Sequence, residues 1–147
     1  MKVAAQVFLP VDVETAWRVL LRWEDQARWM RDADSVRVLT AHREGAGVRI
    51  AVKTRLLNVP LFTEHLEVTI WEPPFRLVLA HRSFVRGVGV WRLRPAEGGC
   101  SFTWNETLSL PVRLLGEVAL LAYRPFMRRL MRGALADLQR FVASEAT

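Results

Sequence analysis

The spacing of hydrophobic and polar residues changes twice along the chain. Residues 2–9 alternate weakly and are rich in Val and Phe, which predicts a first strand, ended by Pro10. Asp12 then stands as a helix N-cap with Glu14 in the first turn, and Val13, Ala16, Trp17, Leu20 and Leu21 recur at helical spacing. A second short helix is expected after Trp23, over 24–30, with Trp29 and Met30 packing under the sheet edge.

From Asp34 the period becomes two. Strands are expected over 35–41, 48–56, 62–71, 76–84, 88–94 and 100–110. Val48, Ile50, Val52, Thr54 and Leu56 share a face opposite Arg49, Lys53 and Arg55, and Leu66, Val68 and Ile70 oppose His65, Glu67 and Thr69. Glu44-Gly-Ala-Gly47, Asn58-Val-Pro60, Pro73-Pro74, Arg86-Gly87 and Pro95-Ala-Glu-Gly-Gly99 supply breaks and turns. Short turns at regular spacing argue for an antiparallel meander. After Pro111 the period is helical again, to Ser144. Phe126, Met127, Leu130, Met131, Ala134, Leu138 and Phe141 form one face, and Arg128, Arg129, Arg132, Gln139 and Arg140 the other. Pro125, inside this pattern, predicts a kink or a break.

Composition narrows the class. The 147 residues suit one domain, 1–147. No apolar run approaches the ~20 residues that span a bilayer, and the N-terminus lacks a signal-like stretch, so a cytoplasmic location is expected. Cys100 is the only cysteine, which rules out an internal disulfide and a thiolate metal cluster; a buried, inert thiol is expected. The net charge of +6 is carried almost entirely by dispersed Arg, with Lys2 and Lys53 the only lysines. No nucleic-acid motif accompanies the charge, so nucleic acid is not an expected partner. Three scattered histidines, of which His42 and His65 are expected at the surface, give no metal signature.

The element order, joined to a series of local phrases, resembles the START-like (SRPBCC) superfamily, and within it the polyketide cyclase/dehydrase and lipid-transport group. The phrases are Pro10-Val-Asp-Val-Glu-Thr-Ala-Trp17, Trp29 with Val36-Arg-Val-Leu39, Gly45-Ala-Gly47, Glu72-Pro-Pro-Phe-Arg-Leu77, Leu93-Arg-Pro95 with Gly98-Gly99, Phe102-Thr-Trp-Asn-Glu106, and Arg124-Pro125 followed by Leu135 and Leu138. The resemblance covers the whole chain and implies an α+β helix-grip fold. In that fold a curved antiparallel sheet, here of about seven strands in the order β-α-α-β6-α, wraps around a long C-terminal helix and leaves a largely apolar cavity. Members share a fold and not one reaction, so the resemblance leaves the chemistry open.

Strand parity then selects candidates. Phe102, Trp104, Glu106 and Leu108 share a face, which puts the Glu106 carboxylate on an apolar wall, where burial raises a carboxyl pKa and suits acid–base work. The plainer reading is a carboxylate at the cavity mouth or paired with an Arg such as Arg124. His81 shares a face with Leu77 and Leu79, but Val78, Ala80 and Phe84 make the opposite face equally plausible; turned inward, it would form an acid–base pair with Glu106. Trp91, Trp104, Tyr123 and Phe126 suggest an aromatic lining, and Tyr123 is the only tyrosine, its hydroxyl wanting a partner such as Glu106.

The cavity is accordingly expected to be walled by Val52, Leu66, Val68, Trp91, Trp104, Tyr123, Phe126 and Leu130, with Glu106 as polar anchor. Its expected partner is a small hydrophobic molecule (a lipid, polyketide or aromatic), with no cofactor or metal. Two alternatives stand beside this. One is a cyclase or dehydratase using Glu106 with His81 or Tyr123 as acid and base. The other is a protein- or membrane-interaction module using the groove or the ridge Arg124, Arg128 and Arg132. For that ridge a solvated face is preferred to peripheral membrane contact.

Overall fold

The computed structural model describes residues 1–56 and 59–145. The elements are β1 (Lys2–Leu9), α1 (Val13–Leu20), a 3-10 helix (Trp23–Arg28), β2 (Ala33–Val38), β3 (Arg49–Leu56), β4 (Val59–Glu72), β5 (Arg76–Arg82), β6 (Arg86–Ala96), β7 (Gly99–Ser109) and α2 (Arg113–Glu145). The strands form one antiparallel sheet in the order β1-β7-β6-β5-β4-β3-β2. Strands β2 to β7 therefore follow one another as a meander, and β1 closes the far edge against β7.

Local chemistry explains most boundaries. Asp12 caps α1 through Oδ1, which accepts from Thr15 N at 2.8 Å. The expected strand over 35–41 is shorter and earlier. Leu39 N still reaches Arg49 O at 2.8 Å, but the Thr40 hydroxyl donates to His42 O at 2.9 Å and turns the chain. The expected helix over 24–30 is the tighter 3-10 turn, held from within by Gln26 Nε2 donating to Leu20 O at 3.0 Å. Asn58, expected to break the following run, lies outside the described residues. Register shifts between Ala33 and Ser35, between Thr54 and Arg55, and between Val68 and Ile70 bend the sheet. Such bulges add local twist and let a sheet curl around a helix.

The helix α2 runs its 33 residues through Pro125 without a break. Pro125 lies at an exposed position, where water can take up the carbonyl that its missing N–H leaves unpaired. The buried stripe of the C-terminal half runs through Met131, Ala134, Leu135, Leu138 and Val142. Leu130, Phe126 and Phe141, expected on that face, lie at its margin instead. Two α2 side chains also cover the edge strand: Arg124 Nε donates to Lys2 O and Gln139 Nε2 to Phe8 O, both at 2.8 Å. Occupying edge carbonyls in this way discourages pairing with another chain.

The core lies between the concave face and the C-terminal half of α2. Trp23, Trp29, Phe102, Leu135 and Leu138 are essentially fully buried, each contributing on the order of 2 kcal/mol by area removed from water. Trp29 does not sit under the sheet edge. Its ring packs 5.8 Å from Trp91 and 6.3 Å from Trp104, on the inner strands β6 and β7. Cys100 is buried, and burial pushes its thiol up to about 11, the mark of an inert side chain. Among the described residues, no helix is long and apolar enough to cross a membrane.

Candidate functional site

Toward the other end of the same concave face the packing stops. A hollow of about 360 Å³ lies between strands β3 to β7 and the N-terminal half of α2. Apolar side chains such as Val52, Leu66, Leu79, Trp91, Trp104 and Leu120 make most of its wall, and His81, Glu106 and Tyr123 also line it.

The register explains why the hollow exists. On β5, His81 pairs across with Leu66 on β4 and with Gly87 on β6, while Leu79 lies opposite Gly89. Gly89 is in turn opposite Glu106 on β7. The inward positions of β6 at this end, on the parity of Trp91, are thus occupied by two glycines. A Cβ built on Gly89 would lie 2.7 Å from Glu106 Oε1. The missing side chains open a lane across β6, and through it β5 and β7 meet.

What meets there is a charged cluster, buried at Glu106 and half-buried at His81 and Glu64. His81 Nε2 donates to Glu106 Oε2 at 2.9 Å, and His81 Nδ1 donates to Glu64 Oε1 at 3.1 Å. Trp104 Nε1 donates to Glu106 Oε1 at 2.8 Å, and the Thr54 hydroxyl lies 3.3 Å from Glu64 Oε2. Burial alone lowers the His81 pKa, but hydrogen bonds and charge from Glu106 and Glu64 outweigh it and push it up to about 10. The imidazole is therefore protonated at neutral pH, and both its N–H groups point at carboxylates. Asp32, on the same wall, is pushed up to about 6, first by desolvation and then by the Glu64 charge. The Tyr123 hydroxyl is pushed up to about 12 by desolvation and by Asp32 and Glu64.

The expected site residues divide. Val52, Leu66, His81, Trp91, Trp104, Glu106 and Tyr123 line the hollow. Val68 does not; it is buried in the packed core. Phe126 leans on Tyr123 with ring centroids 5.2 Å apart, and neither it nor Leu130 reaches the wall, which α2 lines with Ala119, Leu120, Tyr123 and Met127 instead. The two open faces of His81 are resolved inward. The suggested Glu106–Arg124 pair is absent, since Arg124 serves the β1 edge and Glu106 serves His81 and Trp104. The suggested Tyr123–Glu106 hydrogen bond is not formed either.

Sequence reasoning missed Glu64, Asp32 and the glycine lane. Glu64 carries a signal, because it lies two residues before Leu66 and so on its face. The alternation Arg86-Gly-Val-Gly-Val90 carries another: it is a strand with its inward side chains removed, where a turn was expected at Gly87. Asp32 precedes β2 with no periodic signal.

The mouth of the hollow is apolar. Phe62 and Phe84, exposed members of the lining, and the partly exposed Leu110 stand there, and Leu114, Leu115, Val118 and Leu121 are exposed on the adjoining turns of α2. The ridge Arg124, Arg128 and Arg132 lies over a second cleft, beside Lys2 on β1, which shares Glu106 with the hollow.

Comparison with known proteins agrees with this architecture. A family model described as "Polyketide cyclase / dehydrase and lipid transport" matches residues 1–143. No curated protein sequence matches the chain. Among solved structures, the protein TTHA0849 from Thermus thermophilus is similar with a TM-score of 0.82 at 18% identity, covering 100% of both chains. The di-domain ARO/CYC StfQ of the steffimycin biosynthetic pathway is similar with a TM-score of 0.73 at 15% identity, covering 99% of this chain and 51% of that one. Ara h 8.0201 follows with a TM-score of 0.71 at 10% identity and 98% coverage of each. At these identities the likeness is one of fold.

Proposed function

This chain belongs to the polyketide cyclase/dehydrase and lipid-transport family, and we propose that it binds a small hydrophobic ligand in the hollow between the sheet and α2. The observation that carries this reading is the hollow itself. An interior otherwise packed to high density leaves about 360 Å³ open, walled by apolar side chains and ended by one polar cluster, which is the usual form of a ligand site. Glu106, with Glu64 beside it and His81 bridging the two, anchors the ligand's polar group through its carboxylate. The apolar body lies against Val52, Leu66, Trp91 and Trp104, and the apolar mouth at Phe62, Phe84 and Leu110 admits it. Native mass spectrometry of the purified protein, with extraction of what it carries, tests the reading. A bound small molecule, or saturable uptake of an apolar probe after delipidation, is the expected result. A protein that neither carries nor takes up any such molecule would refute it.

One observation favours a second reading, a cyclase or dehydratase. Two titratable side chains, His81 and Glu106, touch at 2.9 Å on one enclosed wall, as acid–base chemistry next to a carbonyl requires. A Glu106→Gln variant that still binds ligand but loses turnover would favour the enzyme; unchanged binding with no turnover in either form would favour the carrier.

A further inference from the structure

The polar end of the hollow is built almost wholly of acceptors. His81 is fully committed, giving one N–H to Glu64 and the other to Glu106, and the Arg55 guanidinium is turned to Asp34, which takes its Nε–H and an Nη2–H. The Trp104 indole N–H is held by Glu106, and the Thr54 hydroxyl is shared between Val52 O and Glu64. The wall's further side-chain N–H and O–H groups, on Gln26, Trp91 and Tyr123, are neutral, and Gln26 Nε2 already donates to Leu20 O.

The acceptors, by contrast, are not exhausted. Each carboxylate oxygen can take two hydrogen bonds, and each oxygen of Glu64 and Glu106 receives one from a side chain. Asp32 receives none from any side chain among the described residues, and it too lines the hollow. Three carboxylates, Asp32, Glu64 and Glu106, line the hollow with two cations, His81 and Arg55, and Arg55 is already paired with Asp34 outside the lining. An anionic headgroup here would meet excess negative charge, with His81 fully engaged and the Arg55 guanidinium drawn toward Asp34. A cationic donor would meet unfilled lone pairs in a low-dielectric wall with aromatic faces beside it.

Resting on the reading of the hollow as a ligand site, we propose that its ligand class is a hydrophobic amine, its protonated nitrogen directed at Asp32, Glu64 and Glu106. Alcohols of the same skeleton fit second, and carboxylates are refused. The same geometry bears on the enzyme reading: with both His81 N–H groups committed to Glu64 and Glu106, His81 has no donor free to protonate a substrate oxygen unless a carboxylate moves away.

Matched probes test this. The amine, alcohol and carboxylate forms of two skeletons, 2-naphthylmethyl and n-decyl, are titrated into the delipidated protein, followed by fluorescence of the lining tryptophans and by calorimetry. The expected order is amine, alcohol, carboxylate, with at least about tenfold between first and last, in line with one charge-assisted contact. A carboxylate that binds as tightly as its amine overturns the inference and leaves the ligand-site reading standing. Uptake of no probe of either skeleton overturns both. Asp32→Asn is the diagnostic variant, because Asp32 holds no other side chain in place. It should weaken the amine about tenfold and leave the alcohol within about twofold; equal losses for both would also overturn the inference. Lowering the pH from 7.5 to 5.5 should weaken the amine alone in the parent protein, as Asp32, facing Arg55, Glu64, His81, Glu106 and Tyr123, takes up a proton. The Asp32→Asn variant should lose that pH dependence.

Discussion

Strand β7 passes through both ends of the interior. Its inward residues Cys100 and Phe102 sit in a close-packed cluster with no exposure, while Glu106 and Leu108 line the hollow a few positions further on. The strand, the alternation and the degree of burial are nearly the same. What differs is the neighbour on β6: Leu93 lies opposite Phe102, and Gly89 lies opposite Glu106. At one end side chains from two layers interdigitate. At the other the sheet withholds them, and carboxylates with one imidazolium share the space. Burial alone therefore does not distinguish core from site; at Glu106 and Leu108 the missing side chains of Gly89 and Gly87 across β6 do.

The largest expected effect is at the packed end. Phe102→Ala should cost about 4 kcal/mol in chemical denaturation, because its tight surroundings cannot collapse into the void. Leu108→Ala, on the wall of an existing hollow, should cost no more than about half of that; equal losses would break the comparison. At the open end, His81→Leu should cost about 3 kcal/mol at neutral pH, since the buried Glu106 and the half-buried Glu64 are left without their cation.

The same cluster gives the parent protein a pH signature. His81 has a folded pKa raised from 6.5 to about 10, so its stabilising contribution is complete below about pH 6.5 and is lost as the pH rises toward 10. Denaturation midpoints should therefore fall across that window, and much less in His81→Leu. A parent curve as flat as the variant's would show that the imidazole is not held as a cation.

Gly89→Ala should cost about 1–2 kcal/mol, because the added methyl would meet the Glu106 carboxylate and close the lane to His81. The His81 imidazole resonances, followed through a pH titration, should shift toward an ordinary histidine. The smallest effect is expected for Tyr123→Phe, below about 0.5 kcal/mol, as its hydroxyl holds no side chain in place.

Much of the fold was legible in the sequence. Periods of two and of 3.6 residues, Asp12 before α1, and the proline and glycine punctuation are short-range signals, so element order and most boundaries followed. Part of the site was legible too. Parity alone placed Glu106 with Phe102 and Trp104, because the side chains of one strand keep their alternation wherever the strand lies. Parity left His81 ambiguous, since apolar residues occupy both faces of β5 and both are buried. On α2 the stripe was displaced at Phe126 and Leu130, because the turns leading into them carry apolar residues all round, Leu114, Leu115, Val118 and Leu121 among them, and do not announce which side the sheet covers.

The sequence by itself determined the kinds of elements, their order, and which residues share a face with which, because these depend on neighbours a few bonds away. Only the tertiary structure decided that Glu64, His81 and Glu106 meet. They come from β4, β5 and β7, and contact between them depends on register and on the glycine lane through β6. It decided the protonation of His81 for the same reason: a pKa of about 10 belongs to an imidazole held between two carboxylates in a dry wall, and no stretch of chain contains that arrangement.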